Sequence, residues 1–343
     1  MSRVYPRSSI LFTVIAAVLP FASPAQATGS LVTQPAHVRP QARVRISTAY
    51  ELPGDRVYPE GIAADPHSGD LYCGSYVDGT VFKMTPGNRA AEVFLPAGAD
   101  GRSKALGLEV DRAGRLWVID ADTGVTVYDI RSRRLLARFD VPGRDPRLVN
   151  DLAVTPDGSV YLTDSLRAVV YRVTPRQLAQ ARTQGGHAPL TPAFDLTGIL
   201  EPHPPGTVTL NGIVAHPSGR YLLTVDMNGG DLYRINPSTG DVHKVGLRDH
   251  DMSQADGMEL RNGTLWVAHP IPGANAISRW RLDPDGGAAR MERRLTDQAL
   301  RLPTTLIRRH GKLYVVRSQF DKGGPVGPGT PQTPFTIASV EGI

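Results

Sequence analysis

The sequence predicts an all-β chain folded as a six-bladed β-propeller, and three observations carry that expectation. A phrase of one lead residue, a small residue and a short apolar run recurs six times, led by Glu60, Leu106, Asn150, Asn211, Asp256 and Thr304. Those leads are spaced by 46, 44, 61, 45 and 48 residues. A period near 45 with a hairpin in each copy is the signature of a propeller blade. Glycine and proline number 35 and 29 among 343 residues, which suits many short strands broken by turns.

Each copy reads as a hairpin. Glu60-Gly61-Ile62-Ala63-Ala64 turns at Ser68-Gly69 into Leu71-Tyr72-Cys73, and Leu106-Gly107-Leu108-Glu109-Val110 turns at Ala113-Gly114 into Leu116-Trp117-Val118-Ile119. Asn150-Asp151-Leu152-Ala153-Val154 turns at Asp157-Gly158 into Val160-Tyr161-Leu162, and Asn211-Gly212-Ile213-Val214 turns at Ser218-Gly219 into Tyr221-Leu222-Leu223. Asp256-Gly257-Met258-Glu259-Leu260 turns at Asn262-Gly263 into Leu265-Trp266-Val267, and Thr304-Thr305-Leu306-Ile307 turns at His310-Gly311 into Leu313-Tyr314-Val315. Third strands follow near residues 79–84, 125–128, 169–173, 231–235 and 277–280, and fourth strands near 92–94, 135–139 and 243–245. The sixth copy is short of strands, so the unassigned run Arg43-Val44-Arg45-Ile46-Ser47 is expected to complete it and leave no open edge. The 61-residue step holds an insertion with a short helix over residues 175–182 and an extended loop, Pro202-His203-Pro204-Pro205-Gly206, that overhangs the site.

Composition narrows the function classes. Apolar residues at 41% and charged residues at 21% exclude global disorder. A formal charge of +5, from 38 basic and 33 acidic residues, is too dilute for a nucleic-acid surface. The single cysteine, Cys73, excludes a disulfide framework and reads as a buried small apolar residue. Arg3 and Arg7 precede an apolar run at residues 10–19 and then Ala25-Gln26-Ala27, the pattern of a secretory leader cleaved near Ala27. The expected organisation is a leader over 1–27, a flexible segment over 28–41, the propeller over 42–322 and a Gly/Pro-rich tail over 323–343. The expected mature form is a secreted monomer, extracellular or periplasmic, with no membrane contact and a small-molecule substrate.

The innermost strand of each blade runs along the central channel, so the six lead positions converge near the axis on one face. Five of the six are polar, and Glu60 and Asp256 are acids. A ring of oxygen donors with two carboxylates suits a hard divalent cation better than zinc.

At these positions the chain resembles the gluconolactonase and regucalcin (senescence marker protein) family of six-bladed hydrolases. The resemblance rests on Pro59-Glu60-Gly61, Asn150-Asp151 with Thr155-Pro156-Asp157-Gly158, Asn211-Gly212, Asp256-Gly257-Met258 and Thr304-Thr305, in order and one set per blade. It implies one divalent ion held by Glu60, Asn150, Asn211 and Asp256, with calcium foremost and magnesium, manganese or zinc as alternatives. It also implies hydrolysis of a lactone or related ester, with Asp256 as general base or nucleophile. The family's substrate-binding arginine falls nearest to Arg147, one residue out of register. Thr304 stands where phosphofluoridate-hydrolysing relatives carry a histidine. Arg147, Lys104 and Thr304 are the candidates for substrate contact. Two other functions share the architecture: a non-catalytic binding propeller with a structural ion, and an enzyme like strictosidine synthase that lacks such a ligand quartet.

Among other residues, Asp120, Asp164 and Asp226 end second strands and read as turn or supporting residues. His269 is a candidate to face the pocket, and Trp117, Trp266 and Trp280 read as packing between blades.

Overall fold

The computed structural model describes residues 43–343. The leader and flexible segment expected over 1–41 lie outside the described residues. Six sheets follow one another around a channel. Blade one holds Pro59–Ala64, Leu71–Ser75, Val81–Met84 and Glu92–Leu95 from the axis outward. Blade two begins with Ala105–Val110, blade three with Val149–Val154, blade four with Leu210–Ala215, blade five with Met258–Arg261 and blade six with Leu306–Arg309.

Six apolar clusters form the core, and each lies between neighbouring blades. Between blades one and two, Tyr72, Val81 and Phe94 meet Leu108, Leu116 and Tyr128. Trp117 packs between blades two and three, Trp280 between four and five, and Trp266 between five and six. Cys73 lies in the layer joining blades six and one and is fully buried. Strands buried on both faces explain why the inner hairpins read as near-continuous apolar runs rather than alternating ones.

Around the channel the small residue after each lead is a packing requirement rather than a turn. A Cβ on Gly61 would stand 2.1 Å from the Leu106 carbonyl oxygen, and one on Gly212 would stand 2.3 Å from that of Asp256. Neither glycine has a positive φ. The inner strands of adjacent blades come so close that only hydrogen fits.

The ring closes as the sequence predicts. Arg45–Leu52 pairs antiparallel with Phe335–Glu341 as the outermost strand of the blade begun by Leu306–Arg309. Residues 323–343 are not all tail, however. Phe335–Glu341 is the third strand of blade six, nearly all buried, so the propeller extends beyond residue 322. The Gly/Pro-rich composition ends at Pro334, and Phe335, Ile337 and Val340 carry the β-prone pattern that follows.

The insertion does more than loop. Its helix, Pro175–Thr183, starts with a capping box between Thr174 and Gln177 and buries Leu178 and Ala181 in the layer between blades two and three. His187–Pro189 then adds parallel to Leu135–Asp140 of blade two, and Thr191–Asp195 returns as the fourth strand of blade three. Blade five likewise gains Gly246–Arg248 parallel to its outer strand Ala288–Thr296. No helix among the described residues is long and apolar enough to cross a membrane.

Candidate metal centre at the channel mouth

Four blades deliver one lead side chain each to the same end of the channel. Glu60, Asn150, Asn211 and Asp256 line one small void of about 10 Å³, the room of a single water or ion. All four are more than nine-tenths buried. The remaining leads take no part: Leu106 packs between blades two and three, and Thr304 donates its hydroxyl to the Glu60 carbonyl at 2.8 Å across the closing seam.

Both amides are oriented by their NH2 groups. Asn150 Nδ2 donates to Ser165 Oγ at 3.0 Å, and that hydroxyl donates onward to the Leu210 carbonyl. Asn211 Nδ2 points at Met227 Sδ, 3.3 Å away, and its buried Oδ1 has no hydrogen-bond donor among the described residues. A buried carbonyl oxygen without a donor is costly unless something else satisfies it.

The carboxylates have the same unmet need. Burial, then the negative charges of Asp256 and Asp151, pushes the Glu60 carboxyl well above the usual range. Burial and Asp151 push up Asp256, against hydrogen bonds from Asn211 and the Gly257 N–H. Asp151 itself is pushed up to about 6 by burial, although the Leu152 and Ile213 N–H groups hold its oxygens at 2.8 and 3.2 Å. Three carboxylates therefore crowd one mouth with no lysine or arginine among the lining residues. Two carboxylates and an orphaned amide oxygen around a void for one ion fit a hard divalent cation. Asp151 is the acid that sequence reasoning passed over, although it stands in the Asn150-Asp151 step.

The three candidates for substrate contact have partners of their own. Lys104 Nζ binds Asp122 at 2.9 Å and lies 5.9 Å from the Tyr76 ring centre. Arg147 donates to the Val141 and Gly143 carbonyls at 3.3 and 3.0 Å, which braces its own loop. Thr304 is spent on the blade seam, as above.

Supporting residues behave as the sequence suggests. Asp120 accepts from the N–H groups of Ser103 and Asp122, and Asp164 accepts from the Leu148 and Leu166 N–H groups and the Tyr171 hydroxyl. His269, the candidate to face the pocket, does not do so: it is fully buried, with Nδ1 at 3.2 Å from the Ser253 carbonyl and Nε2 at 2.7 Å from Ser278 Oγ. Burial pushes its imidazole down to about 4, so it stays neutral as a packing residue.

The channel continues from the quartet to the opposite face, where it opens into a cavity of about 360 Å³. Glu109 and Glu259, each three residues past its lead, line that end. Burial foremost, then Glu259 and Asp151, pushes Glu109 up to about 8, and burial pushes Glu259 up to about 7 against the neighbouring arginines. The charged forms are disfavoured in the fold, so these acids contribute stability below their ordinary value of 4.5 that is lost as pH climbs through about 7 and 8. The unfolding temperature of metal-free protein should fall as pH rises from about 4.5 to about 8, and Glu109→Gln should flatten that fall. An unchanged slope in the variant would show that Glu109 does not carry it.

Residues 58–299, more than half of the chain, match the family described as SMP-30/gluconolactonase/LRE-like region. No curated protein sequence matches the chain. Among solved structures, a gluconolactonase from Xanthomonas campestris shares 17% identity over 88% of this chain and 90% of its own, with a TM-score of 0.59. Virginiamycin B lyase from Staphylococcus aureus shares 12% identity over 87% and 99%, with a TM-score of 0.54. An aldose sugar dehydrogenase from Streptomyces coelicolor, solved with PQQ bound, shares 16% over 88% and 99%, with a TM-score of 0.57. At these identities the three share the propeller architecture, on which hydrolase, lyase and oxidoreductase chemistry all occur. With its family motifs seated one per blade around the channel mouth, the chain belongs to the SMP-30/gluconolactonase/LRE-like family.

Proposed function

We propose that the protein is a divalent-metal-dependent hydrolase of a lactone or related ester. The observation that carries the reading is the buried quartet: two carboxylates and two amide-oriented carbonyls around a void for one ion, in a chain of this family. Glu60, Asn150, Asn211 and Asp256 would hold the ion, calcium by donor type. When bound, the ion supplies Lewis-acid polarisation of the acyl oxygen.

The chain's own residues supply the rest. Asp256 takes the proton of the attacking water, or attacks the acyl carbon itself, and the N–H of Gly257 and the amide of Asn211 steady its carboxylate. Ser165 and Met227 engage the two amides through their Nδ2 groups, which leaves the buried Asn211 Oδ1 without a protein donor among the described residues and available to an ion. Glu60 contributes charge and binding.

Metal analysis coupled to a lactone and aryl-ester screen, with and without chelator, tests the reading. Turnover that persists in chelator, on protein shown to be metal-free, would refute the metal dependence. Because Glu60 and Asp256 must lose protons held above the usual range, apparent metal affinity should rise with pH through that range. Titration calorimetry at several pH values reads this directly. Glu60→Gln should weaken metal binding while leaving the chemistry, so excess metal should restore most of its rate. An ion that binds tightly with no hydrolysis of any lactone or ester would favour the binding-propeller reading.

A further inference from the structure

The 61-residue step places a histidine over the blade that supplies Asn211. His203 Nε2 lies 2.6 Å from Asp226 Oδ2, and Asp226 is fully buried at the end of the strand Leu222–Asp226. The other oxygen, Oδ1, accepts the N–H groups of Asn228 and Gly229 at 3.2 and 3.0 Å. Gly229 makes room for the carboxylate, since a Cβ there would come within 2.5 Å of Oδ2. The aspartate is thus clamped, with one oxygen dedicated to the imidazole.

The loop that carries the ring is also fixed. Pro202, Pro204 and Pro205 flank His203 and restrict its backbone. Downstream, Thr209 donates from its N–H and its hydroxyl to the Ser165 carbonyl, and Asn228 Nδ2 donates to the Val208 carbonyl at 2.6 Å. Ser165 is the residue whose hydroxyl orients Asn150. Asp226 pairs with Leu210 in the ladder, one residue before Asn211, and Met227 touches the Asn211 amide. The Asp226 backbone therefore lies one strand spacing, roughly 5 Å, outward from the strand that supplies Asn211, at the same end of blade four, and its carboxylate holds the imidazole there.

Two contrasts set this pair apart. The equivalent carboxylates Asp120 and Asp164 accept from N–H groups and hydroxyls rather than from an imidazole. His67 and His187 approach carboxylates only at 3.4 and 3.9 Å, with side chains 65% and 64% exposed. The His203 side chain is 16% exposed, and among the described residues no protein group hydrogen-bonds its Nδ1. An imidazole with one nitrogen held by a buried carboxylate and the other open is oriented for proton transfer.

We propose that His203, oriented by Asp226, is the general acid that protonates the departing alkoxide of the substrate. This rests on the hydrolase reading above. Water oxygen bonds to the acyl carbon, and the water proton passes to the Asp256 carboxylate. The bond from acyl carbon to ring oxygen breaks, its electron pair stays on that oxygen, and the Nδ1 proton of the imidazolium is transferred to it. The proton on Asp256 is released to solvent, and His203 takes one up, so the net change is one water added across the ester bond.

Leaving-group dependence tests the role. His203→Gln should lower kcat/KM on an aliphatic lactone, whose alkoxide leaves poorly, by about a hundredfold or more. On a p-nitrophenyl ester, whose phenolate leaves unaided, the loss should stay within about threefold, because no acid is required there. Asp226→Asn should show the same split, and added imidazole should restore part of the lactone rate in His203→Ala, whose unfolding temperature checks that it folds. Equal losses on both substrates, or no loss on the lactone, overturn the role of His203 and leave the hydrolase reading intact. A parent protein that hydrolyses neither substrate overturns the hydrolase reading, and the role of His203 with it.

Discussion

Asp256→Asn is expected to reduce turnover at saturating metal by about a hundredfold or more, the scale of losing a general base or nucleophile. The substitution keeps side-chain shape and one oxygen donor but removes the charge and the proton acceptor. It also relieves the crowding of carboxylates at the mouth, where Asp151 and Asp256 both raise Glu60. The metal-free variant should therefore unfold no more easily than the parent, and at high pH less easily. Rate against metal concentration, with unfolding recorded on the same samples, separates the two effects. Full turnover at saturating metal would reduce Asp256 to a ligand, leaving water activation to the ion alone.

Gly212→Ala is expected to damage both fold and site. Its Cβ would stand 2.3 Å from the Asp256 carbonyl oxygen and 3.2 Å from the Met258 side chain, and a backbone oxygen cannot rotate away. Overpacking in rigid surroundings costs about 1–3 kcal/mol and sometimes more, and this contact belongs at or above the upper end. Relief requires blades four and five to part where Asn211 and Asp256 meet, so metal affinity should fall with stability. Gly198→Ala is the control, because its Cβ would meet nothing within 4 Å. Denaturant unfolding of the two variants, with metal titration, reads the comparison. Equal stability in both would refute the close-packing account of the inner strands.

What could be read from the sequence was whatever repeats. The inner hairpins recur because every blade must bury both faces of its inner strands and end the first of them at the channel. The outer strands meet solvent on one side and carry weaker patterns. Thr191–Asp195 was hidden because the chain first makes a helix and then pairs His187–Pro189 with the preceding blade. Gly246–Arg248 is three residues long, too short to show any alternation. Phe335–Glu341 was masked by the Gly/Pro-rich stretch before it, which dominates composition over that window. The quartet was legible because its four positions share one register. Asp226 was legible only as the end of a strand. Its partner His203 comes from an insertion with no counterpart in other blades, so no repeat pointed to the pair.

The strand that closes blade six has a consequence for the order of events during synthesis. Arg45 and Glu341 form an ion pair at 2.9 Å although 296 positions separate them. At about 5–20 residues per second, the partner strand leaves the ribosome roughly 15–60 s after Arg45–Leu52 does. Blades one to five have all their strands in hand before then, and each can pack on its neighbour as it emerges. The first strand cannot complete its ladder: apart from Glu51, whose N–H and carbonyl bond to Arg89 and Ala91 beside blade one, its backbone donors and acceptors stay open to any other chain for that interval. Arg45 and Glu51, both ion-paired at the finished edge, place charge on it in the meantime and discourage pairing with a stranger. A nascent chain arrested short of Phe335 would hold five sealed blades and one still open.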